Sequence, residues 1–392
     1  MIPFNRPFLA PREREYLIQA LTSGHTSGDG PFTGRATKLL TALVGTPSAL
    51  LTTSCTHALE LTGLLLDLRP GDEVILPSFT FVSTANAYVL RGAVPVFVDC
   101  RPDTLNLDER AVAAAITSRT RAIVVVHYGG VACEMDAITR VARQHGLPVI
   151  EDNAHGLGAR YRGRPLGSIG ALATQSFHAT KNVQCGEGGA LVLNDDALRE
   201  RAEIIREKGT DRSRFFRGQV DKYRWMDVGS SYLPSDVLAA GLTAQLESFA
   251  EIQRRRHAVW EAYHAGLAEW AAEAGVRRPV VPAGCEHAAH LYHLLMPDLE
   301  QRQAMLRHLA EHGVQATFHY QPLHDAPAGR RLGRTAPGGC PVTEDVADRL
   351  LRLPLYPGLS DAEVEHVVRA VRAFRAGRPV PPAPRGAVEV PA

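Results

Sequence analysis

The sequence predicts an α/β fold built on a mainly parallel sheet, and three observations carry that expectation. Seven strand-like runs lie between residues 49 and 194: Ala49–Thr53, Glu73–Pro77, Val94–Asp99, Ala122–His127, Pro148–Asp152, Leu172–Phe177 and Ala190–Asn194. Several are continuously apolar, as in Ala122-Ile123-Val124-Val125-Val126, which marks strands covered on both faces. Helical patterns separate most of them, at Thr56–Leu68, Thr80–Arg91, Asp108–Ala115 and Asp136–His145. That alternation calls for right-handed crossovers with helices on both sides of the sheet.

The flanking chain divides by the same signals. Residues 1–48 hold a short helix pattern, Glu13–Thr22, and then the glycine-rich stretch Ser23 to Pro31, which reads as a flexible arm. Residues 49–250 form the large domain, with a charged helix at Arg199–Lys208 and a basic, aromatic loop from Gly209 to Tyr232. One long helix, Asp236–Arg256, leads into a smaller α+β domain at 251–375. There the pattern gives a strand at Leu291–Met296, a helix at Glu300–His312, a second strand at Val314–Tyr320 and a closing helix at Asp361–Phe374. Residues 376–392 are rich in Pro and Ala with little to bury, and disorder is expected.

Composition removes several functions. The 392 residues are 45% hydrophobic and 22% charged with a net charge of +1, so nothing favours nucleic acid or an anionic membrane as a partner. The six cysteines show no CxxC or metal-type spacing, so neither a disulfide framework nor a metal site is expected. The first residues, MIPFNRPFL, lack a basic segment followed by an apolar core, and no apolar run reaches membrane-spanning length. A cytoplasmic protein is the expectation.

The chemistry centres on Lys181, in Ser176-Phe177-His178-Ala179-Thr180-Lys181-Asn182, at the end of one strand and ahead of the turn Gly186-Glu187-Gly188-Gly189. An amine held at the end of a buried sheet element loses its proton readily and becomes a nucleophile toward carbonyls. An ordinary strand-end lysine is the plainer alternative, and two other segments weigh against it. Asp152 ends the strand of Val149-Ile150-Glu151-Asp152, at the carboxyl edge where open α/β sheets bind ligands. A pyridoxal phosphate (PLP) ring needs such a carboxylate to keep its nitrogen protonated. Ser54, Cys55 and Thr56 open a helix whose N–H groups and hydroxyls suit a phosphate. Together these three segments outline a PLP site.

The chain resembles the DegT/DnrJ/EryC1/StrS group of sugar-nucleotide aminotransferases from Ile2-Pro3-Phe4-Asn5 to about Phe374. The matching blocks are Pro77 to Asn86, Glu151 to His155, Ser176 to Lys181 and Gly186 to Ala190. The runs His127 to Asp136 and Arg206 to Tyr232 resemble the branch that aminates C4 of dTDP-4-keto-6-deoxyglucose. The resemblance implies a type I aminotransferase fold with a seven-stranded mixed sheet and a homodimer with active sites at the subunit interface. It implies PLP alternating with its amine form, pyridoxamine phosphate (PMP), L-glutamate as amine donor and a dTDP-keto-sugar as acceptor. Lys181 and Asp152 are the implied catalytic pair. Ser176 would reach the cofactor phosphate, Phe81 (Phe79 being the less favoured choice) would stack on the ring, and His155 would meet the ring hydroxyl.

In the loop Gly209 to Tyr232, Phe215, Phe216, Tyr223 and Trp225 suggest a buried contact rather than a solvated surface, and Arg212, Arg217 and Lys222 among them suit a diphosphate, so the loop reads as a nucleotide-sugar and dimer-contact segment. For the substrate, the resemblance points to Thr26 and Gly28 in the glycine-rich arm. It also points to His319 and His324 near Tyr320-Gln321-Pro322-Leu323. The family's G-x-N-x-R motif is Gly229-Ser230-Ser231-Tyr232-Leu233 here, so Ser231 stands where an asparagine would reach a partner's phosphate, and Leu233 replaces the arginine. Competing readings are amination at C3, a nucleotide-sugar dehydratase and a non-catalytic sensor. Dehydratases of this kind replace the lysine by histidine, and Lys181 is present.

Overall fold

Seven strands appear where the apolar runs place them in the computed structural model, which describes residues 1–375. They are β1 (Ser48–Thr52), β2 (Glu73–Pro77), β3 (Val94–Val98), β4 (Thr120–Val126), β5 (Val149–Asp152), β6 (Leu172–Ser176) and β7 (Gly189–Leu193). The C-terminal third adds β8 (Tyr292–Leu295), β9 (Arg334–Thr335) and β10 (Leu350–Leu353). The large sheet has eight strands in the order β1-β7-β6-β5-β4-β2-β3-β9, the short β9 extending the anticipated seven at one edge. It is mixed because β7 runs antiparallel to both β1 and β6, while the other neighbours are parallel. The expected disorder of 376–392 lies outside the described residues.

Period-two side chains send each strand's apolar residues to two separate cores. Val74, Leu76, Val124 and Ile150 pack under the helix Cys55–Leu65, whereas Ile75, Ile123 and Val125 pack against the helix Met135–Gln144. A third core lies between β8, β10 and the helices Phe249–Gly266, Leu299–Glu311 and Asp361–Ala373. No helix among the described residues is long and apolar enough to cross a membrane.

Three elements differ from expectation. Pro31–Val44 is a helix, begun by Gly30 with Pro31 in its first turn and burying Phe32, Ala36, Leu40 and Val44. The stretch read as flexible, Ser23 to Pro31, overlaps this helix at Pro31 alone. The single helix expected over Asp236–Arg256 is two, Asp236–Glu247 and Phe249–Gly266. Ser248, at φ −91° and ψ 7°, closes the first on the carbonyls of Ala244 and Gln245 and redirects the chain toward the third core. Val314–Tyr320 is not a strand. Its first half pairs with the N-terminal arm, Ile2 N donating to Gly313 O (2.7 Å) and Gln315 N to Ile2 O (3.0 Å). The partner of β8 is therefore β10.

Two consecutive carboxylates on β5 show how the sheet separates structure from chemistry. Glu151 points away from the cleft, fully buried, and accepts N–H bonds from Gly167 (2.8 Å), Ile169 and Gly170 (both 2.7 Å) and from His127 Nε2 (2.9 Å). Burial pushes its carboxyl pKa up, but His127 and the backbone donors outweigh that, and the net shift is downward. The stability it adds is present above the ordinary carboxyl pKa and lost as pH falls from there through the lower folded value. Glu151→Gln sets an NH2 against these donors and is expected to cost about 3 kcal/mol at pH 7. Urea unfolding checks it: an unshifted midpoint would contradict that role.

Candidate active site

The carboxyl ends of β5 and β6 bring the catalytic candidates together. After β6 the chain folds a closed loop: Phe177 N donates to Gly188 O (2.8 Å), Ala179 N to Gly186 O (2.9 Å) and Cys185 N to Phe177 O (2.9 Å). Gly186 turns at φ 82°, a conformation that other residues adopt only under strain. Lys181 is fixed in this loop by its own N–H on His178 O (2.9 Å). Its amine pKa is lowered to about 8, chiefly by burial and to a lesser extent by the charge of Arg352, against Cys55 and Asp152, which act in the opposite direction. The amine is thus a substantial free base near pH 8.

Asp152 accepts from Thr84 Oγ1 at Oδ2 (2.8 Å) and from Ala154 N at Oδ1 (3.2 Å). Burial pushes its carboxyl up despite these donors and despite Lys181. His155 follows on the same turn. Gly129 N donates to its Nδ1 (3.3 Å), which leaves the ring proton on Nε2. Burial and the charges of Lys181 and Arg352 hold its pKa well below the usual histidine value, so the ring is neutral. It stacks on His290 (4.1 Å between centroids), whose Nδ1 meets Asn182 Oδ1 at 2.8 Å, beside Lys181.

Ser54, Cys55 and Thr56 start the helix Cys55–Leu65 close to this loop. Ser54 caps it, its hydroxyl oxygen accepting from His57 N (3.1 Å). Thr56 shares a hydrogen bond with Ser83 (2.8 Å), and the Cys55 thiol points to Thr174 Oγ1 (3.5 Å) on β6. Gly189 allows the approach: a Cβ there would lie 2.3 Å from the carbonyl carbon of Ser54 and 2.4 Å from Cys55 N. Of the two aromatics weighed, Phe79 is 1% exposed and packed on Tyr128 and Tyr320, whereas Phe81 is 57% exposed at the cleft.

Other anticipated residues fall into two groups. His319 reaches the cleft, its Nδ1 3.2 Å from the Tyr128 hydroxyl and its ring parallel to that of His155. His324 has both ring nitrogens engaged, by Ser78 Oγ (2.7 Å) and Glu344 Oε1 (3.0 Å), which leaves it nothing to offer a ligand. Arg212 is paired with Glu207 (2.9 Å) and Arg217 with Glu203 (2.7 Å), while Lys222 has no ion-pair partner among the described residues. The burial expected of the aromatics in this loop is absent within the chain: Phe216, Tyr223 and Trp225 are all exposed. Thr26 and Gly28 pack against residues 233–236, Thr26 O accepting from Asp236 N (3.1 Å), and Ser231 is exposed beside Glu207. Among the described residues, none of these hydrogen-bonds to the Lys181 pocket.

Sequence reasoning passed over Thr84, His290, Tyr128 and Arg352. Thr84 sits inside the matching block Pro77 to Asn86, and Arg352 interrupts the apolar run Leu350-Leu351-Arg352-Leu353. Both signals were available.

The site suits pyridoxal phosphate on its own chemistry. An amine of lowered pKa and a buried carboxylate share a cleft with a neutral histidine and an exposed phenyl face. The N–H groups of Cys55 and Thr56 and the Ser176 hydroxyl have no protein acceptor among the described residues, which leaves donors for a phosphate. Fold and site define a PLP-dependent aminotransferase. The chain belongs to the DegT/DnrJ/EryC1/StrS aminotransferase family, whose profile matches residues 8–372. The aminotransferase TlmJ of Streptoalloteichus hindustanus is 36% identical, with a TM-score of 0.87 covering 95% of this chain and 98% of that one. The sugar aminotransferase CalS13 of Micromonospora echinospora is 29% identical, with a TM-score of 0.85 covering 95% and 99%. Spr1654 of Streptococcus pneumoniae, 27% identical with a TM-score of 0.87 covering 95% and 98%, is known in PMP and PLP forms. This protein is a sugar aminotransferase of that family.

Proposed function

We propose that the protein transfers the amino group of L-glutamate to C4 of dTDP-4-keto-6-deoxyglucose, giving a dTDP-4-amino-4,6-dideoxyhexose. The depressed amine of Lys181, facing Asp152 across one cleft, carries the aminotransfer part of this reading. The resemblance of His127 to Asp136 and Arg206 to Tyr232 to the C4-aminating branch supports the choice of carbon.

Bound pyridoxal phosphate supplies an aldehyde that accepts an amine and a ring that takes up the electrons released when a carbon–hydrogen bond breaks. The N–H groups of Cys55 and Thr56, with Ser54 and Ser176, would hold its phosphate. Asp152 would keep a proton on the ring nitrogen, oriented by Thr84. His155 would offer its Nε2 proton to the ring hydroxyl, and Phe81 would cover one ring face. Lys181 Nζ would take the proton from the donor's α-carbon in the first half-reaction and deliver one to the sugar carbon in the second. One group does both because its pKa lies near the working pH.

The exposed aromatics of the loop 209–232 support a homodimer covered along that face. In such a dimer Thr26, Gly28, Arg212, Arg217, Lys222 and Ser231 would serve the partner's pocket, since among the described residues none of them hydrogen-bonds to its own. Six free cysteines support a reducing, cytoplasmic setting. Feeding dTDP-4-keto-6-deoxyglucose with L-glutamate and reading the product by NMR tests the proposal. Nitrogen on C4 is expected; nitrogen on C3, or loss of a hydroxyl without amination, would replace it.

A further inference from the structure

Residues 288–290, just before β8, are tied to the Lys181 loop through Asn182, the residue after the lysine. Asn182 Nδ2 donates to Ala288 O (2.7 Å) and to Gln253 Oε1 (3.0 Å). A backbone carbonyl only accepts, so the amide is fixed with its NH2 toward Ala288 and its Oδ1 toward His290 Nδ1, 2.8 Å away. The His290 ring proton is therefore on Nδ1. Burial, and then His155, Lys181, Arg256 and Arg352, hold its pKa well below the usual histidine value, so the ring is neutral.

Two side chains of the helix Phe249–Gly266 hold this segment in place. Gln253 Nε2 donates to Ala288 O (3.2 Å). Arg256, three residues on and 1% exposed, gives Nε to Ala289 O (3.0 Å) and Nη2 to His290 O (2.5 Å). Ala289 stands at φ 45°, in the left-handed region that a side chain with a Cβ adopts only under strain. Strain of this kind persists where the surroundings over-determine it, and it gathers at working sites. Ala288 N also donates to Gly130 O (3.0 Å), in the turn whose Gly129 N meets His155 Nδ1. Fixed on these sides, the His290 ring lies on His155 with 4.1 Å between centroids and 22° between planes.

We infer that His290 is a positioning residue for amino transfer, aligning His155 through its ring and Lys181 through its hydrogen bond to Asn182. This rests on the aminotransferase reading of the site and adds what keeps its parts in register. The Gly129 bond fixes one edge of the His155 ring, and the stack fixes its plane, which together aim Nε2. Asn182 is joined to Lys181 by a peptide bond, so anchoring its side chain limits how far the amine can wander from the reacting carbon. The two contacts are chemically separable. Phenylalanine keeps a ring against His155 and loses the hydrogen bond, whereas asparagine offers an N–H in place of Nδ1 and loses the ring.

His290→Phe and His290→Asn are therefore compared by two readouts. In cofactor-free protein, Lys181 modification by trinitrobenzene sulfonate is followed against pH. Its profile should move to higher pH in His290→Phe, because a loosened loop lets water reach the amine that burial now depresses; in His290→Asn it should stay. In the holoenzyme, the pH midpoint of the visible cofactor band is expected to rise by roughly one pH unit in His290→Asn, as the ring oxygen loses a well-aimed donor; in His290→Phe it should stay. Each variant should lower kcat roughly 10-fold or more. Shifts that occur together in both variants, no shift in either, or an unchanged kcat in both would overturn the assignment. So would variants that unfold or shed the cofactor outright, since His290 would then serve the fold alone. An unaltered protein that takes up no cofactor would bring down the aminotransferase reading, while the Lys181 profile would still test the Asn182 link.

Discussion

Lys181→Ala is expected to lower the rate of amino transfer by at least about 10³-fold, because one substitution removes both nucleophile and proton carrier. Stability should move the other way. The folded-state pKa, about 8, lies below the ordinary lysine value, so folding is penalised wherever the unfolded chain is protonated. The penalty is full below pH 8 and fades as pH rises toward the unfolded value. At pH 7 the cofactor-free variant should thus unfold at the same temperature as the unaltered apoprotein or higher. Calorimetry and single-turnover kinetics check the two halves. A clear drop in melting temperature, or appreciable residual transfer, would count against the assigned role.

Asp152→Asn is expected to slow the reaction about 10²- to 10³-fold, the scale of losing one preorganised charge at the reacting centre. Its carboxyl is raised by burial, so the ionised form costs stability at neutral pH, and a neutral isostere should leave stability unchanged or improved. A second signature distinguishes this from general damage. Asp152 helps to hold the proton on Lys181, so its removal should carry the lysine pKa below about 8. In cofactor-free protein, the pH dependence of Lys181 modification by trinitrobenzene sulfonate should shift to lower pH. A profile that stays in place would contradict electrostatic coupling between the two.

What the sequence made legible follows from how local each signal is. The seven strands were readable because burial on both faces demands unbroken apolar runs, and β4 buries every residue except Arg121. Lys181 and Asp152 were readable because each ends such a run, and strand ends face the cleft. His290 was not, because it meets Asn182 in the Lys181 loop only after residues from the C-terminal third fold back on it. The break at Ser248 was hidden by helical sequence on both sides, since only tertiary packing turns one axis into two. The helix Pro31–Val44 was obscured by the glycines before it, although its buried residues recur at helical spacing. The loop from Gly209 to Tyr232 was expected to bury its aromatics, yet Trp225 is 83% exposed. Nothing among the described residues covers it, and no local pattern reports that.

The central claim is that Lys181 is the residue to which the cofactor becomes attached. Incubation with pyridoxal phosphate, borohydride reduction, digestion and mass mapping test it directly. The added mass is expected on the peptide carrying Lys181 and on no other lysine; a label elsewhere, or none, would contradict it.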